Sequence, residues 1–211
     1  LILKLYDMVF DNKKFRQGAV KLSLYSLVPS AILVGQSLRI SKTIKLLTLS
    51  LGFVGLSLTS VLASKGFNTT GIDIDKEKCN KIHNGILPFF EPDLEKTLKN
   101  GLKKKLVISN DFSLIKDCDM IFVTVGTPQK SNGSIELSMI KNAITNIGKI
   151  LAKSKKNPII LIKSTIIPGT MKDVILPILE KKSGKKDGRE FGLISNPEFL
   201  QESSAIHDTK Y

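Results

Sequence analysis

Residues 46–57 read LLTLSLGFVGLS, and the choice between two readings of this stretch decides the rest. Turns that cradle the phosphates of a dinucleotide follow the pattern G-x-G-x-x-G, at a corner where a strand gives way to a helix. The frame here is Ser50-x-Gly52-x-x-Gly55, with serine in place of the first glycine. The competing reading is an apolar strand–helix corner that binds nothing. Two glycines do not separate the two readings, so the flanking sequence has to.

From residue 43 onward, strand and helix signals alternate. IKLLTLS (44–50) is a short apolar run of the kind buried strands show, and it stops at the glycines. An amphipathic stretch over 56–64 follows, closed by Gly66. NTTGIDID (68–75) predicts a second strand ending in acids, and 76–83 a short helix that breaks at Asn84-Gly85. EPDLEKTLKNGL (91–102) predicts a helix starting near Pro92. KLVIS (105–109) and MIFVTVG (120–126) read as strands on either side of a helical piece over 113–118. Ile140, Ala143, Ile144, Ile147, Ile150 and Leu151 share one helical face. PIILIKST (158–165), a helix over 171–181 and FGLISNPEF (191–199) complete the series. Repeated β-α-β units with strands apolar on both sides predict an α/β fold, a Rossmann-like doubly wound parallel sheet with helices on both faces.

In that setting the glycine corner gains meaning. Asp73 closes the second strand, eighteen positions beyond Gly55. In this architecture such a carboxylate reaches the ribose hydroxyls of an adenosine and repels a 2′-phosphate, which predicts NAD rather than NADP. Gly52 lets backbone approach a pyrophosphate, Gly55 lets helix and sheet close up, and the N–H groups from Gly52 through Phe53, Val54 and Gly55 face the phosphates. Ser50, small enough for a turn, is expected to preserve the loop.

Composition bounds the alternatives. The 211 residues suffice for one sizeable core, with 42% hydrophobic and 24% charged residues. A net charge of +13 raises nucleic acid as a partner. The excess is scattered lysine, though; Arg16, Arg39 and Arg189 are the arginines, and tryptophan is absent. Without aromatics interleaved among the basic residues there is no base-stacking platform, and no nucleic-acid partner is expected. Cys79 and Cys118 have no metal-ligand spacing and read as buried structural thiols, fitting a reducing cytoplasmic compartment; no metal site is expected. The stretch 18–36, GAVKLSLYSLVPSAILVGQ, is interrupted by Lys21 and Pro29 and falls short of a membrane span. Residues 1–42 are left unassigned, and 43–211 form the expected domain.

Several further motifs, in order, carry a family resemblance: LGFVGLSL (51–58), GIDIDKEK (71–78), NGILPFFEPDLE (84–95), VTVGTPQ (123–129), IKSTIIPGT (162–170) and ISNPEFLQESSAIHD (194–208). Over 45–208 the chain resembles the NAD-binding domain of the UDP-glucose/GDP-mannose dehydrogenase family. The resemblance implies oxidation of the C6 hydroxymethyl of a nucleotide sugar to a carboxylate with two NAD+, UDP-glucose being the first choice of substrate and GDP-mannose close behind. It further implies cofactor contacts at Ser50, Gly52, Phe53, Val54, Gly55, Asp73, Lys78, Thr127 and Glu202. Phe199, Leu200 and Glu202 would bind the nucleotide sugar, and Glu198 would assist hydrolysis of a thioester.

Read without the resemblance, Glu198 is a loop carboxylate capping N–H groups after Pro197. His207 and His83 read as surface groups, Asp117 and Asp119 as caps, and the Phe89-Phe90 pair as a core anchor for its loop. The family's cysteine nucleophile and central helical region, which builds its oligomer, have no counterpart before Tyr211. The chain is therefore expected to be inactive alone and part of a homo-oligomer when complete. A stand-alone NAD-binding or regulatory module is the alternative.

Overall fold

Six short strands lie side by side, all parallel: β1 (Lys45–Leu49), β2 (Asn68–Ile72), β3 (Leu106–Ser109), β4 (Met120–Val123), β5 (Ile159–Ile162) and β6 (Gly192–Ser195). Their order across the sheet is β3-β2-β1-β4-β5-β6. The computed structural model describes residues 44–210; the reading of 1–42 as a separate extension lies outside the described residues.

Side-chain alternation explains the layering. Leu47, Leu49, Ile121, Val123, Ile160 and Ile162 point to one face, where they meet Ile140, Ala143, Ile144, Ile147 and Leu151 of α4 (Ser138–Leu151) and Leu179 of α5 (Leu176–Ser183). Leu46, Met120, Phe122, Ile159 and Leu161 point to the other and pack on Leu58 and Leu62 of α1 (Phe53–Ser64). With helices on both sides, β4 and β5 are buried at every position.

The remaining helices are α2 (Lys76–His83), α3 (Leu94–Leu102) and α6 (Ala205–Lys210). Because α3 and α6 pack against α1, residues 55–63 of α1 are buried all round. The hydroxyls of Ser57, Thr59 and Ser60, with Thr48 of β1, are buried there without a hydrogen-bond partner among the described residues. Each such hydroxyl costs about 1–3 kcal/mol.

Strands β2, β4, β5 and β6 end earlier than the sequence reading, at Ile72, Val123, Ile162 and Ser195, and three helices also differ from it. Helix α1 starts at Phe53, three residues before Leu56, because Gly52 itself serves as its N-cap. Helix α3 starts at Leu94 because Asp93 is left-handed, with φ of 60°. The helix expected over 171–181 opens as a π-helical stretch, Met171–Ile175, and runs on as α5 to a left-handed Gly184. Pro177, in the first turn of α5, has no N–H to give to an α-helical ladder, which accounts for the wider turns before it. Phe89 packs beside the core, but Phe90 is 87% exposed, so the pair anchors its loop through one ring only.

Sequence order runs outward from β1 to β2 on one side and from β1 to β4 on the other. At such a reversal the connections leave in opposite directions and open a crevice at the carboxyl ends of the strands.

Candidate functional site

The corner between β1 and α1 sits at that crevice. The Ser50 N–H donates to the Ile72 carbonyl at 2.8 Å, tying the end of β1 to β2. Ser50 has φ of 84°, the left-handed conformation that glycine adopts freely and serine adopts at a cost. The expected loop is therefore kept, with strain stored at one residue. A Cβ placed on Gly55 would lie 1.8 Å from the Ser50 carbonyl oxygen and 2.6 Å from Thr124 Oγ1, so no side chain fits there. Around Gly52 a Cβ would meet nothing within 4 Å. The first glycine of the pair thus leaves space open, and the second allows close packing. Among the described residues no side chain caps the N-terminus of α1, and its first turn holds no acid, so these amides suit an anion.

Asp73, directly after β2, is 5% exposed. Its Oδ2 accepts the Leu51 N–H at 2.8 Å and the Lys78 ammonium at 2.8 Å, while Oδ1 accepts the Asp75 N–H at 3.1 Å. Burial alone would raise its pKa; the Lys78 hydrogen bond and the Leu51 and Asp75 amides outweigh burial and hold it below the usual carboxylate value. Asp73 and Lys78, both expected near a ribose, form one ion pair, and Oδ1 retains acceptor capacity for a hydroxyl.

Across the crevice, Thr124 Oγ1 donates to the carbonyls of Leu49 and Ser50, both at 2.9 Å. This hydroxyl fixes the corner from the β4 side. Thr127 Oγ1 donates to the Thr165 carbonyl at 2.7 Å, and Ser164 Oγ to the Val125 carbonyl at 2.6 Å, so the loops after β4 and β5 are laced together.

The loop after β6 holds the other expected residues. Glu198 Oε1 accepts the N–H groups of Phe199 and Leu200, at 2.8 and 3.0 Å. This is the local capping read from sequence. Its Oε2 meets the Lys163 ammonium at 2.8 Å, and that ammonium also donates to Asn196 Oδ1 at 3.1 Å. The Lys163 side chain is 4% exposed and that of Glu198 10%, so this is a buried ion pair. Phe199 is exposed and Leu200 half-buried; Glu202 is exposed. Glu91, 3% exposed, accepts the N–H groups of Ser203 and Ala205.

The corner, Asp73 and Lys78 therefore form one group; Glu198, Phe199 and Leu200 form another, held by Lys163. Thr124, Lys163 and Glu91 escaped the sequence reading. A lysine ending an apolar strand reads as a solvated residue, so the sequence carries no signal for the Lys163 pairing. Cys79 and Cys118 are buried. Burial pushes the Cys118 thiol up to about 12. The His207 side chain is 74% exposed. Among the described residues no group of three or more His, Cys, Asp or Glu side chains could hold a metal ion, and no helix is long and apolar enough to cross a membrane.

The corner fits the diphosphate and adenosine ribose of NAD: open space at Gly52, uncapped amides, and a carboxylate on the adjacent strand. Residues 44–211 match the model of the UDP-glucose/GDP-mannose dehydrogenase family, NAD binding domain. A GDP-mannose 6-dehydrogenase of Pseudomonas syringae pv. tomato is 42% identical over 160 residues, which are 75% of this chain and 36% of that protein. A UDP-glucose 6-dehydrogenase of Haloferax volcanii is 34% identical over 157 residues, covering 74% of this chain and 36% of its own. Among solved structures, a ternary complex of GDP-mannose dehydrogenase from Pseudomonas aeruginosa superposes with a TM-score of 0.75 at 36% identity, over 77% of this chain and 38% of that one. The chain thus spans little more than a third of the length of these relatives.

Proposed function

Because the chain belongs to the UDP-glucose/GDP-mannose dehydrogenase family, as its NAD-binding domain, we propose that it supplies the cofactor-binding part of a nucleotide-sugar 6-dehydrogenase. The reading is carried by the corner at Ser50–Gly55, where open space over Gly52 meets an uncapped helix terminus and a buried carboxylate. In this reading the amides of Phe53, Val54 and Gly55 bind the diphosphate, and Oδ1 of Asp73 accepts a ribose hydroxyl while Lys78 balances its charge. Thr127 borders the cofactor from the loop after β4. Bound NAD+ supplies the hydride acceptor for oxidation at C6 of the sugar.

Glu198 serves the sugar side. Two amides and Lys163 orient its carboxylate, and Oε2, engaged once, keeps a lone pair for a water or a hydroxyl. Phe199, Leu200 and Glu202 border the nucleotide sugar, and Glu202 lies beside the cofactor as well. Greater identity to the Pseudomonas syringae GDP-mannose enzyme than to the Haloferax volcanii UDP-glucose enzyme favours GDP-mannose as the substrate over the UDP-glucose first expected.

Calorimetric titration tests the cofactor reading. The chain is expected to bind NAD+ more tightly than NADP+, and Asp73→Ala to lose about 1.5–3 kcal/mol of NAD+ affinity, the worth of a hydrogen bond to a charged group. An Asp73→Ala protein that folds and binds NAD+ as tightly as the parent removes Asp73 from the ribose.

A further inference from the structure

The segment at 89–91 joins two regions that sequence separates. The Phe89 ring lies 5.5 Å from that of Phe53, the first residue of α1, centroid to centroid. Two residues on, the Glu91 carboxylate divides its oxygens between two amides of the loop after β6. Oε2 takes the Ser203 N–H at 2.9 Å and Oε1 the Ala205 N–H at 2.8 Å. Those partners lie 112 and 114 residues away in the chain. Ala205 is the first residue of α6 and fully buried, and Ile206 beside it packs into the cluster around Leu51 and Leu56 of the glycine corner. Ser203 is left-handed, with φ of 72°, so the loop turns sharply immediately after Glu202.

A carboxylate suits this place for a specific reason. Here the two N–H donors meet separate oxygens, and an amide side chain in the same place offers one acceptor and one donor. From this geometry we propose that Glu91 is a positioning residue: it fixes the turn at Ser203–Ala205 against α1 and so sets where Glu202 projects at the cleft. The proposal rests on the reading that Glu202 lies beside the cofactor. Glu91 itself touches neither cofactor nor substrate; it acts through the two amides. Without it, the turn after Glu202 has left-handed strain at Ser203 and, among the described residues, no long-range hydrogen bond to hold it.

The test uses the full chain as wild type, Glu91→Gln, Glu202→Ala and the double variant. Amide exchange at Ser203 and Ala205 and calorimetric NAD+ affinity are the readouts. Glu91→Gln is expected to speed exchange at one or both amides by about tenfold, since one acceptor becomes a donor. It should weaken NAD+ binding by about threefold to tenfold in the wild-type background and add nothing once Glu202 is alanine, the signature of two residues acting as one. An equal loss in both backgrounds means that Glu91 only stabilises the fold, and overturns the proposal. So does unchanged affinity in Glu91→Gln, or in Glu202→Ala. If the wild type does not bind NAD+ at all, the cofactor reading falls separately; exchange at Ser203 and Ala205 then decides Glu91, unchanged rates removing it as the anchor and faster rates sustaining it. Should Glu91→Gln fail to fold, Glu91→Asp, which keeps both oxygens on a shorter arm, takes its place in the same cycle.

Discussion

The corner at residues 50–55 and the loop at 196–205 both follow the carboxyl ends of parallel strands, yet they are held in opposite ways. The corner is held by close backbone approach and by what is missing from it, with two side chains, Thr124 and Asp73, closing it from neighbouring strands. A carbonyl wedges against Gly55, a hydroxyl from Thr124 seals the other side, and the Asp73 carboxylate grips the Leu51 amide from the next strand. The loop is held by side chains from far along the chain. Lys163 binds Asn196 and Glu198, and Glu91 binds Ser203 and Ala205. The first kind of site needs spacing; the second needs partners.

Breaking the partners should cost most. Lys163→Met leaves the Glu198 carboxylate buried without its cation, and denaturant unfolding is expected to show a loss of about 3–5 kcal/mol. Adding Glu198→Gln should recover part of that loss, because the penalty belongs mainly to the unpaired charge. A double variant no more stable than Lys163→Met would mean that the loss does not come from the stranded charge.

Breaking the spacing should cost somewhat less, since backbone can shift. Gly55→Ala puts a methyl where the Ser50 carbonyl stands, and should destabilise by about 2–3 kcal/mol. NAD+ binding should fall with it. Retained stability and affinity would mean that the corner tolerates a wider approach of helix to sheet than its geometry indicates.

The smallest effect should be a gain. Ser50 is left-handed, and Ser50→Gly releases that strain while giving the unfolded chain more freedom. A net stabilisation of about 1 kcal/mol is expected in the same unfolding assay. A loss instead would show that the serine side chain holds the turn.

This contrast also explains what sequence could and could not reveal. The strands were legible because runs such as PIILIKST are apolar on both faces, and a parallel sheet buries both. Gly52, Gly55 and Asp73 were legible because backbone closeness and strand alternation depend on local spacing. Lys78, the partner of Asp73, lies five residues on in the first turn of helix α2, so the pairing was half visible. Lys163 was invisible in its role: at the end of an apolar strand it reads as the first solvated residue, and its acid lies 35 residues later. Glu91 was hidden more deeply, behind a proline and a helix start that gave it a local explanation. Phe90 misled because one ring of the pair found the core and the other solvent.

The central claim is that the corner binds the diphosphate of NAD+ while Asp73 takes the adjacent ribose. Amide resonances followed during an NAD+ titration test it most directly. The account predicts that the largest shifts fall on Gly52, Phe53, Val54, Gly55 and Asp73, with little change at the far ends of the same strands. Shifts that spare these residues and gather elsewhere on the molecule would contradict it.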